Sequence, residues 1–542
     1  MTIATFLFFT AFVAVATWWI TRGSGQETDE GYFLAGRSLT GVFIAGSLLL
    51  TNLSTEQLIG LNAAAFDEGL SVMAWEVVAG ISLVALALFF LPRYLKSGIA
   101  TIPQFFEERY GLGVRTMTTL IFVVAYMLIL LPFVLYLGAR GLSGMLGLET
   151  RLGLSEQGTI WAVIIFIAVV GGGYAIWGGL KAVAVSDTFN GAGLLVGGLM
   201  ITYFTLAVVA GDGGLMTAFT KISEHDPDAF RSLGTLDEDV QWPALFTGVL
   251  LLNFFYWSTN QQIIQRTFGA KNLAEGQKGV LLAAFFKICA PLILVLPGIA
   301  AAYLVANDPS FAEQVGDKAD RAYGALVATV LPEPLVGFFA AVVVGSILST
   351  FNSVLNSSAT LFSLDVYKKF IRPEASTRQI VISGQICSLL VGVFAVVAAP
   401  TIFYGRDEIF GFFQKLNGVY FIPILAIMMV GLLNRSVDGT SAIITLVVGL
   451  AAMSLGTFAS GATETEKGWV VETFYSGYHF MGAVFVGLVV LQLVLGECGF
   501  KRTEPFVRKD VGAVDLTPWR GAPVVGGVLI AFALVVYAIF AF

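Results

Sequence analysis

The chain has 542 residues, of which 57% are hydrophobic and only 12% are charged, and its mean hydropathy is +0.83. A soluble domain carries about 25% charged residues, so this composition argues against a soluble protein and predicts one that lies in a lipid bilayer. The formal net charge of −7 points to no partner. Most charged residues fall in loops, and the basic ones are too scattered to suit a nucleic acid.

Long apolar windows predict an all-α integral membrane protein with about fourteen transmembrane helices. In chain order they lie near residues 3–21, 41–64, 71–92, 115–138, 158–178, 187–211, 242–263, 280–306, 333–363, 379–399, 409–433, 440–460, 475–496 and 523–541. No small-residue cleavage site follows the first window, so we expect it to be kept as a helix rather than removed as a signal peptide.

Lys and Arg fall mainly on one side of this predicted arrangement. If the N-terminus lies outside, the odd-numbered loops hold twenty of the thirty Lys and Arg residues and the even-numbered loops hold eight. Positive charge favours the cytoplasmic side of a membrane. We therefore expect a multi-pass protein of the cell (inner) membrane with both termini on the outer, periplasmic side.

The second and seventh predicted spans each contain a polar cluster at mid-membrane depth. One lies between Ala45 and Gly60, and the other between Leu251 and Ile264. An unpaired amide in hydrocarbon costs several kcal/mol, so irregular polar backbone survives only where it lines a cavity. A matched pair of interrupted spans is typical of the binding site of a secondary transporter. The alternative is a polar contact that joins neighbouring helices.

The spacing of the two breaks predicts an internal repeat. Five spans separate equivalent points, so a unit of five helices would occur twice with opposite orientation in the membrane.

Cysteine and histidine offer little chemistry. Cys289, Cys387 and Cys498 have no paired spacing, and we interpret them as small core residues. His225 and His479 are the only histidines, which argues against a histidine metal site or a hydrolase triad. We therefore expect no enzyme activity and no cofactor.

Two opposite charges lie deep inside spans, where each is costly and invites a role. Glu76 is in the third span and Lys287 in the eighth, and at such depth they must pair or neutralise. Together with the amides of Asn52, Gln57, Asn253 and Gln414 they offer donors and acceptors for a neutral polyhydroxyl ligand. Tyr256 and Trp257 offer rings that stack on a pyranose. The alternative is a structural ion pair with no ligand.

The ninth span carries the hydroxyl-rich segment from Gly345 to Ser353. Hydroxyl oxygens, with the free carbonyls of a broken helix, are suitable ligands for Na⁺. Ordinary packing of Ser and Thr in a membrane helix is the alternative. Asp187, at the start of the sixth span, fits either a helix N-cap or part of a cation path.

Several short sequence motifs together resemble those of the solute:sodium symporter family, and within it those of the bacterial and animal sodium/sugar cotransporters. They are Tyr32–Arg37, Thr101–Phe105, Trp177–Ala182 with Asp187, Asn260–Arg266 and Leu355–Thr360, and the resemblance covers roughly residues 30–435. It implies a LeuT-type core of five-plus-five inverted repeats with extra flanking helices. The implied units are residues 1–38, a first repeat at 39–212, a second repeat at 213–435, and accessory helices at 436–542.

The resemblance also implies roles for individual residues. The sugar site would comprise Asn52, Gln57, Trp75, Glu76, Asn253, Tyr256, Trp257, Lys287 and Gln414, with an inner gate at Tyr256 and an outer gate at Leu61, Trp75 and Phe410. The sodium site would use backbone oxygens of Leu50, Leu53 and Ser346 and the hydroxyls of Ser349 and Thr350.

Two positions depart from the family pattern. Ala79 stands where a sugar-facing serine is expected, which leaves the preferred epimer open. A second sodium site would need Asp187 and hydroxyls one turn after Ser349, where this chain has Asn352 and Ser353. That site is half matched, so we expect one Na⁺ per cycle.

The expected function is sodium-coupled import of a neutral sugar, a hexose such as glucose or galactose, by alternating access. The alternative on the same fold is another small organic solute: sialic acid, an amino acid, a nucleoside or a polyol. The expected partners are the sugar, Na⁺ as coupling ion and the lipid bilayer, with no nucleic acid and no soluble protein.

Overall fold

The computed structural model describes residues 2–22, 29–236, 238–316, 318–406, 409–458 and 477–541. Over these ranges the chain is almost entirely helical and forms only isolated β-bridges. The parts of the predicted spans near 440–460 and 475–496 that fall within 459–476 lie outside the described residues.

The α-helices of the described ranges are numbered here in chain order. They are α1 (Thr2–Thr21), α2 (Asp29–Leu34), α3 (Gly41–Asn52), α4 (Thr55–Glu68), α5 (Ala74–Ala85), α6 (Leu91–Ser97), α7 (Ile102–Tyr110), α8 (Leu112–Ala125), α9 (Leu131–Leu146), α10 (Leu148–Leu152), α11 (Glu156–Ala210), α12 (Leu215–His225), α13 (Gly248–Ser258), α14 (Gln261–Phe268), α15 (Leu273–Cys289), α16 (Pro291–Leu294), α17 (Leu296–Asn307), α18 (Pro309–Val315), α19 (Ala322–Val330), α20 (Glu333–Thr360), α21 (Thr377–Phe403), α22 (Ile409–Leu433), α23 (Gly439–Phe458), α24 (Gly477–Glu497) and α25 (Ala522–Ile539). Segments of π-helix at Leu86–Phe90, Tyr126–Leu130 and Leu361–Ile371 continue α5, α8 and α20.

Within the described residues, ten helical stretches are long and apolar enough to cross a membrane. An eleventh is added if the bent pair Leu273–Cys289 and Pro291–Asn307, which meet at 45°, counts as one span. Other apolar helices, such as Gly41–Asn52, are too short to cross alone. The count of fourteen stays a prediction, whereas the all-helical membrane class is confirmed.

Both polar clusters break their spans. α3 ends at Asn52 and α4 begins at Thr55, while α13 ends at Ser258 and α14 begins at Gln261. The linking residues leave the helical conformation: Leu53 has φ −72° and ψ 50°. Each break exposes the last carbonyls of one helix and the first N–H groups of the next, midway along a membrane span.

α11 differs from its prediction, because helical hydrogen bonding continues where a loop at 179–186 was expected. A straight helix of 55 residues would be about 82 Å long. Both ends of α11 nevertheless lie near the part of the chain between Tyr303 and Arg321. Glu156 pairs with Arg321, while the far end accepts hydrogen bonds from Lys221 in α12, whose last residue His225 packs on Tyr303. α11 therefore turns back on itself and supplies two arms.

The eighth predicted span also differs, since it bends by 45° after Cys289. Pro291 follows the bend, and proline has no N–H to continue the hydrogen-bond ladder.

The core interpretation of the cysteines is wrong for Cys498, which is exposed, whereas Cys387 is buried.

A buried polar network fixes the end of the bundle predicted to be inner. Asp365 accepts hydrogen bonds from Thr101 (2.9 Å) and Thr119 (3.3 Å) and pairs with Arg115. The backbone N–H of Ile102 donates to the side-chain oxygen of Gln261, at the start of α14, at 2.8 Å. These contacts join α7, α8, α14 and the π-helical segment after α20, so the bundle is closed at this end.

Close helix packing near the first break predicts a measurable loss of stability. A Cβ added at Gly46 would lie 2.8 Å from the Cα of Thr188 in α11, so Gly46→Ala must separate α3 from α11. We expect destabilisation of about 1–3 kcal/mol, measured as a lower midpoint of thermal unfolding in detergent. Gly527→Ala is the control, because nothing lies within 4 Å of its added Cβ. Equal midpoints for the two variants would contradict this packing.

Candidate functional site

The structure brings all nine predicted sugar-site residues to one buried cavity between the two breaks. Its lining comprises Asn52, Glu56, Gln57, Trp75, Glu76, Ala79, Leu252, Asn253, Tyr256, Trp257, Lys287, Phe413, Gln414, Asn417 and Phe421. The cavity measures about 40 Å³, which is room for a water or two and much less than a ligand pocket. The site is therefore assembled in a closed arrangement.

A buried ion pair crosses the cavity. The Lys287 ammonium on α15 donates to the Glu76 carboxylate on α5 and to Asn52 Oδ1 at the end of α3. Both charged side chains are at most 2% exposed, and the ammonium lies 5.7 Å from the centre of the Trp257 ring. Burying two ions is favourable only when further hydrogen bonds satisfy them. Asn52 provides one such bond and ties the pair to the first broken span.

Two acceptors beside this pair have no partner. The Gln57 Oε1 and Glu56 Oε2 atoms are buried without a hydrogen bond, although buried polar groups are ordinarily satisfied by protein, water or ligand. Such unpaired acceptors at the wall of a cavity suit the hydroxyl donors of a ligand.

Glu56 and Asn417 are two polar residues of the lining for which the sequence predicted no role. Asn417 donates to Gln414 Oε1 at 3.2 Å. Asn417 could have been predicted from its spacing, because it lies three residues after Gln414 and therefore on the same helix face. Glu56 directly precedes Gln57 in the first turn of α4.

Aromatic rings form the walls of the cavity. Tyr256 and Trp257 meet edge to face at 5.3 Å, and Gln262 donates to the Tyr256 hydroxyl at 3.4 Å. On the side predicted to be outer, Trp75 meets Phe410 edge to face at 5.9 Å.

Two of the predicted outer-gate residues do not line the cavity itself. Phe410 packs against Trp75 and Gly60. Leu61 is fully buried in the same helix as Gly60. Trp75 alone of the three predicted outer-gate residues faces the cavity.

The predicted sodium ligands meet where α3 ends against α20. Ser346 donates to the Leu53 carbonyl at 3.4 Å, and Thr350 donates to the Thr51 carbonyl at 3.1 Å. Leu50 and Ser349 are buried as well, and Ser349 Oγ interacts with the Asp187 carboxylate without a well-formed hydrogen bond. Carbonyls at a helix C-terminus carry partial negative charge, so this oxygen-rich junction suits a small cation.

Asp187 lies within α11 rather than at a helix start, so its N-cap interpretation is wrong. It is fully buried and accepts a hydrogen bond from Ser47 at 2.6 Å. With Ser349 and Asn352 it lines a second cavity of about 580 Å³ beside α1. The Ser353 hydroxyl accepts a hydrogen bond from Arg266. The two residues of the half-matched second sodium site therefore lie next to a buried guanidinium that the sequence did not predict.

Known proteins are similar to this chain in sequence and in fold. The uncharacterized symporter YidK of Escherichia coli (strain K12) is 40% identical over 537 residues, which are 99% of this chain and 90% of the relative. The sodium/glucose cotransporter of Vibrio parahaemolyticus is 33% identical over 467 residues, 83% of each chain. A solved Na⁺-coupled sialic acid symporter superposes with a TM-score of 0.75 at 18% identity, covering 94% of this chain and 99% of the other.

The fold is therefore the LeuT-type fold expected from the resemblance. The model of the sodium:solute symporter family, a family of transporters rather than enzymes, matches residues 32–495. The chain is thus a multi-pass membrane protein that belongs to the sodium:solute symporter family.

Proposed function

We propose that the protein imports a neutral sugar, a hexose such as glucose or galactose, by alternating access coupled to Na⁺. The membrane is the inner membrane, with both termini outside as the loop charges predict. One observation carries the proposal: the cavity between the two broken spans combines a compensated ion pair with amide groups and aromatic walls.

The charge balance of the cavity favours a neutral ligand. Lys287 already pairs with Glu76, so an anionic substrate such as sialic acid would meet no free cation among the residues that line the cavity. The further carboxyl group of the lining, Glu56, offers an anion no positive charge either. A sugar hydroxyl both donates and accepts, which matches the unpaired oxygens of Glu56 and Gln57 and the amides of Asn253 and Gln414.

Sodium acts on this cavity through α3. Na⁺ bound where Ser349 and Thr350 face the end of α3 holds the same helix whose last residue, Asn52, contacts Lys287. Each ligand then stabilises the arrangement that the other prefers, which is thermodynamic linkage between two sites.

Transport requires the closed arrangement to open at each end in turn. On the outer side Trp75 and Phe410 must separate to admit the sugar. On the inner side the α14 contacts, such as the Gln261–Ile102 hydrogen bond, must release. Loss of Na⁺ to the cytoplasm loosens α3, and the sugar leaves past Tyr256.

The ion gradient supplies enough free energy. One charge crossing 100 mV gains about 2.3 kcal/mol, and a tenfold Na⁺ gradient adds about 1.4 kcal/mol. Together they support accumulation on the order of several hundredfold.

A binding panel tests the substrate class. The purified protein in detergent is heated with glucose, galactose, myo-inositol, sialic acid, proline or uridine, in NaCl or in choline chloride. We expect glucose or galactose to raise the unfolding midpoint in NaCl alone, because only the Na⁺-bound form has the assembled site. A shift with another solute and none with either hexose would contradict the sugar proposal while leaving Na⁺ coupling intact.

Ala79 offers a finer test of the sugar pose. It lines the cavity one turn from Glu76, so Ala79→Ser adds a hydroxyl that faces the sugar ring. One extra hydrogen bond contributes about 0.5–1.5 kcal/mol, and we expect the glucose-to-galactose affinity ratio to change by about 2- to 10-fold. The ratio of the two Kd values measures it. An unchanged ratio of the two Kd values would show that the residue at position 79 does not distinguish glucose from galactose.

A further inference from the structure

The Trp75 ring, which faces the cavity, packs against two other aromatic rings. Phe410 on α22 meets it edge to face with 5.9 Å between ring centres, and Tyr478 on α24 meets it edge to face at 5.6 Å. All three residues are at most 7% exposed. α24 lies among the accessory helices that follow the two predicted repeats, so a helix from outside the repeats contributes a ring beside the predicted outer gate.

The first turn of α24 is anchored against the second broken span. Gly248, the first residue of α13, has no side chain, and an added Cβ would lie 2.7 Å from the Cα of Tyr478. The Thr247 hydroxyl, one residue earlier, forms a hydrogen bond with His479 Nδ1 at 3.1 Å. The backbone of Tyr478 is therefore held against α13 while its ring contacts Trp75 on α5.

We propose that Tyr478 is a positioning residue of the outer gate, which together with Phe410 holds the Trp75 ring over the cavity. The inference rests on the proposed function, in which Trp75 and Phe410 separate to admit the sugar, and it adds a gate residue from an accessory helix. Opening then requires the Trp75 side chain to leave two rings rather than one.

The geometry gives the size of the expected effect. Edge-to-face aromatic pairs are favourable beyond the apolar area that they bury. The closed gate has two such pairs on the Trp75 ring, one from α22 and one from α24. Loss of the Tyr478 ring should therefore raise the population of the open outer gate about 2- to 10-fold.

The reactivity of a cysteine behind the gate tests the proposal without any solute. Ala79 lines the cavity, and Cys289→Ala/Cys498→Ser removes the two cysteines that are not fully buried. The parent variant carries these two changes and Ala79→Cys, and its modification by a charged methanethiosulfonate is timed on the purified protein in NaCl. We expect Tyr478→Ala to speed modification about 2- to 10-fold. Tyr478→Phe keeps the ring and should react at the rate of the parent variant.

Two further variants control this measurement. Phe480→Ala removes another buried ring of α24, but one that packs on Gly456 of α23, so the rate of the parent variant is expected. Trp75→Ala removes the ring that covers the cavity and should speed modification at least as much as Tyr478→Ala.

The outcomes separate the role of Tyr478 from the gate itself. A parent rate in Tyr478→Ala with a faster rate in Trp75→Ala would overturn the role of Tyr478 and leave the outer gate in place. A faster rate in Phe480→Ala would also overturn it, because any loss of packing in α24 would then open the gate. An unchanged rate in Trp75→Ala would overturn the outer gate of the proposed function, and this inference with it.

The measurement does not depend on which sugar binds, which the binding panel tests separately. If Tyr478→Ala does not fold, as judged by gel filtration, Tyr478→Leu replaces it, because leucine is apolar but has no ring. The same acceleration is expected for Tyr478→Leu, and the rate of the parent variant would overturn the proposal.

Discussion

Lys287→Met should abolish Na⁺-driven sugar uptake and lower the free energy of unfolding by about 3–5 kcal/mol. The substitution leaves the Glu76 carboxylate buried without its cation, and the ammonium that also bonds Asn52 is lost. Sugar uptake into proteoliposomes and thermal unfolding in detergent measure the two effects.

A double variant distinguishes a ligand site from a structural ion pair. Lys287→Met/Glu76→Leu removes both charges, and an apolar pair of similar volume is often as stable as the buried ion pair it replaces. We expect the unfolding midpoint to recover while sugar uptake stays absent, because no donor and acceptor remain for the hydroxyls. Recovery of both stability and uptake would show that the pair serves only the fold.

The second large effect is expected at Ser349, whose hydroxyl has no well-formed hydrogen bond in the protein. Ser349→Ala removes one predicted Na⁺ ligand. A hydrogen-bonding group that contacts a charge contributes about 1.5–3 kcal/mol, so the Na⁺ concentration for half-maximal uptake should rise about 10- to 100-fold. The measurement is sugar uptake against Na⁺ concentration at constant ionic strength.

Ser358→Ala on the same helix is the matched control for Ser349→Ala. Ser358 is equally buried, but its hydroxyl bonds the Val354 carbonyl one turn back, at 2.9 Å. We expect its Na⁺ dependence to equal that of the wild type. The same Na⁺ dependence in both variants would remove Ser349 from the sodium site.

Local polarity was enough to predict where the spans break. The clusters around Asn52 and Asn260 cannot lie unpaired in hydrocarbon, and the structure ends one helix and begins another at both. The bend at Cys289 was missed because the proline after it lies within a continuous apolar window. The continuous helical bonding of α11 was missed because one apolar window ended at 178 and the next began at 187, which left 179–186 as a loop.

A residue of the site could be predicted from the sequence when its type is rare at that position of a membrane span. Glu76 and Lys287 attract attention because charges are rare inside spans. Their contact joins residues 211 positions apart, and it was inferred from the cost of leaving either unpaired. Arg266 attracted no such attention, because it follows a polar segment near a predicted span end. Its hydrogen-bond partners on two other helices, Ser47 and Ser353, are set by tertiary packing, which no sequence spacing reveals.

The most direct test of the central claim is concentrative uptake into proteoliposomes with galactose or glucose at equal concentration on both sides. We predict that an inward Na⁺ gradient drives labelled sugar above its outside concentration, and that collapsing this gradient with a sodium ionophore releases it. An inward proton gradient without Na⁺ should give no accumulation. Accumulation that is indifferent to Na⁺, or that follows the proton gradient, would contradict sodium-coupled sugar import.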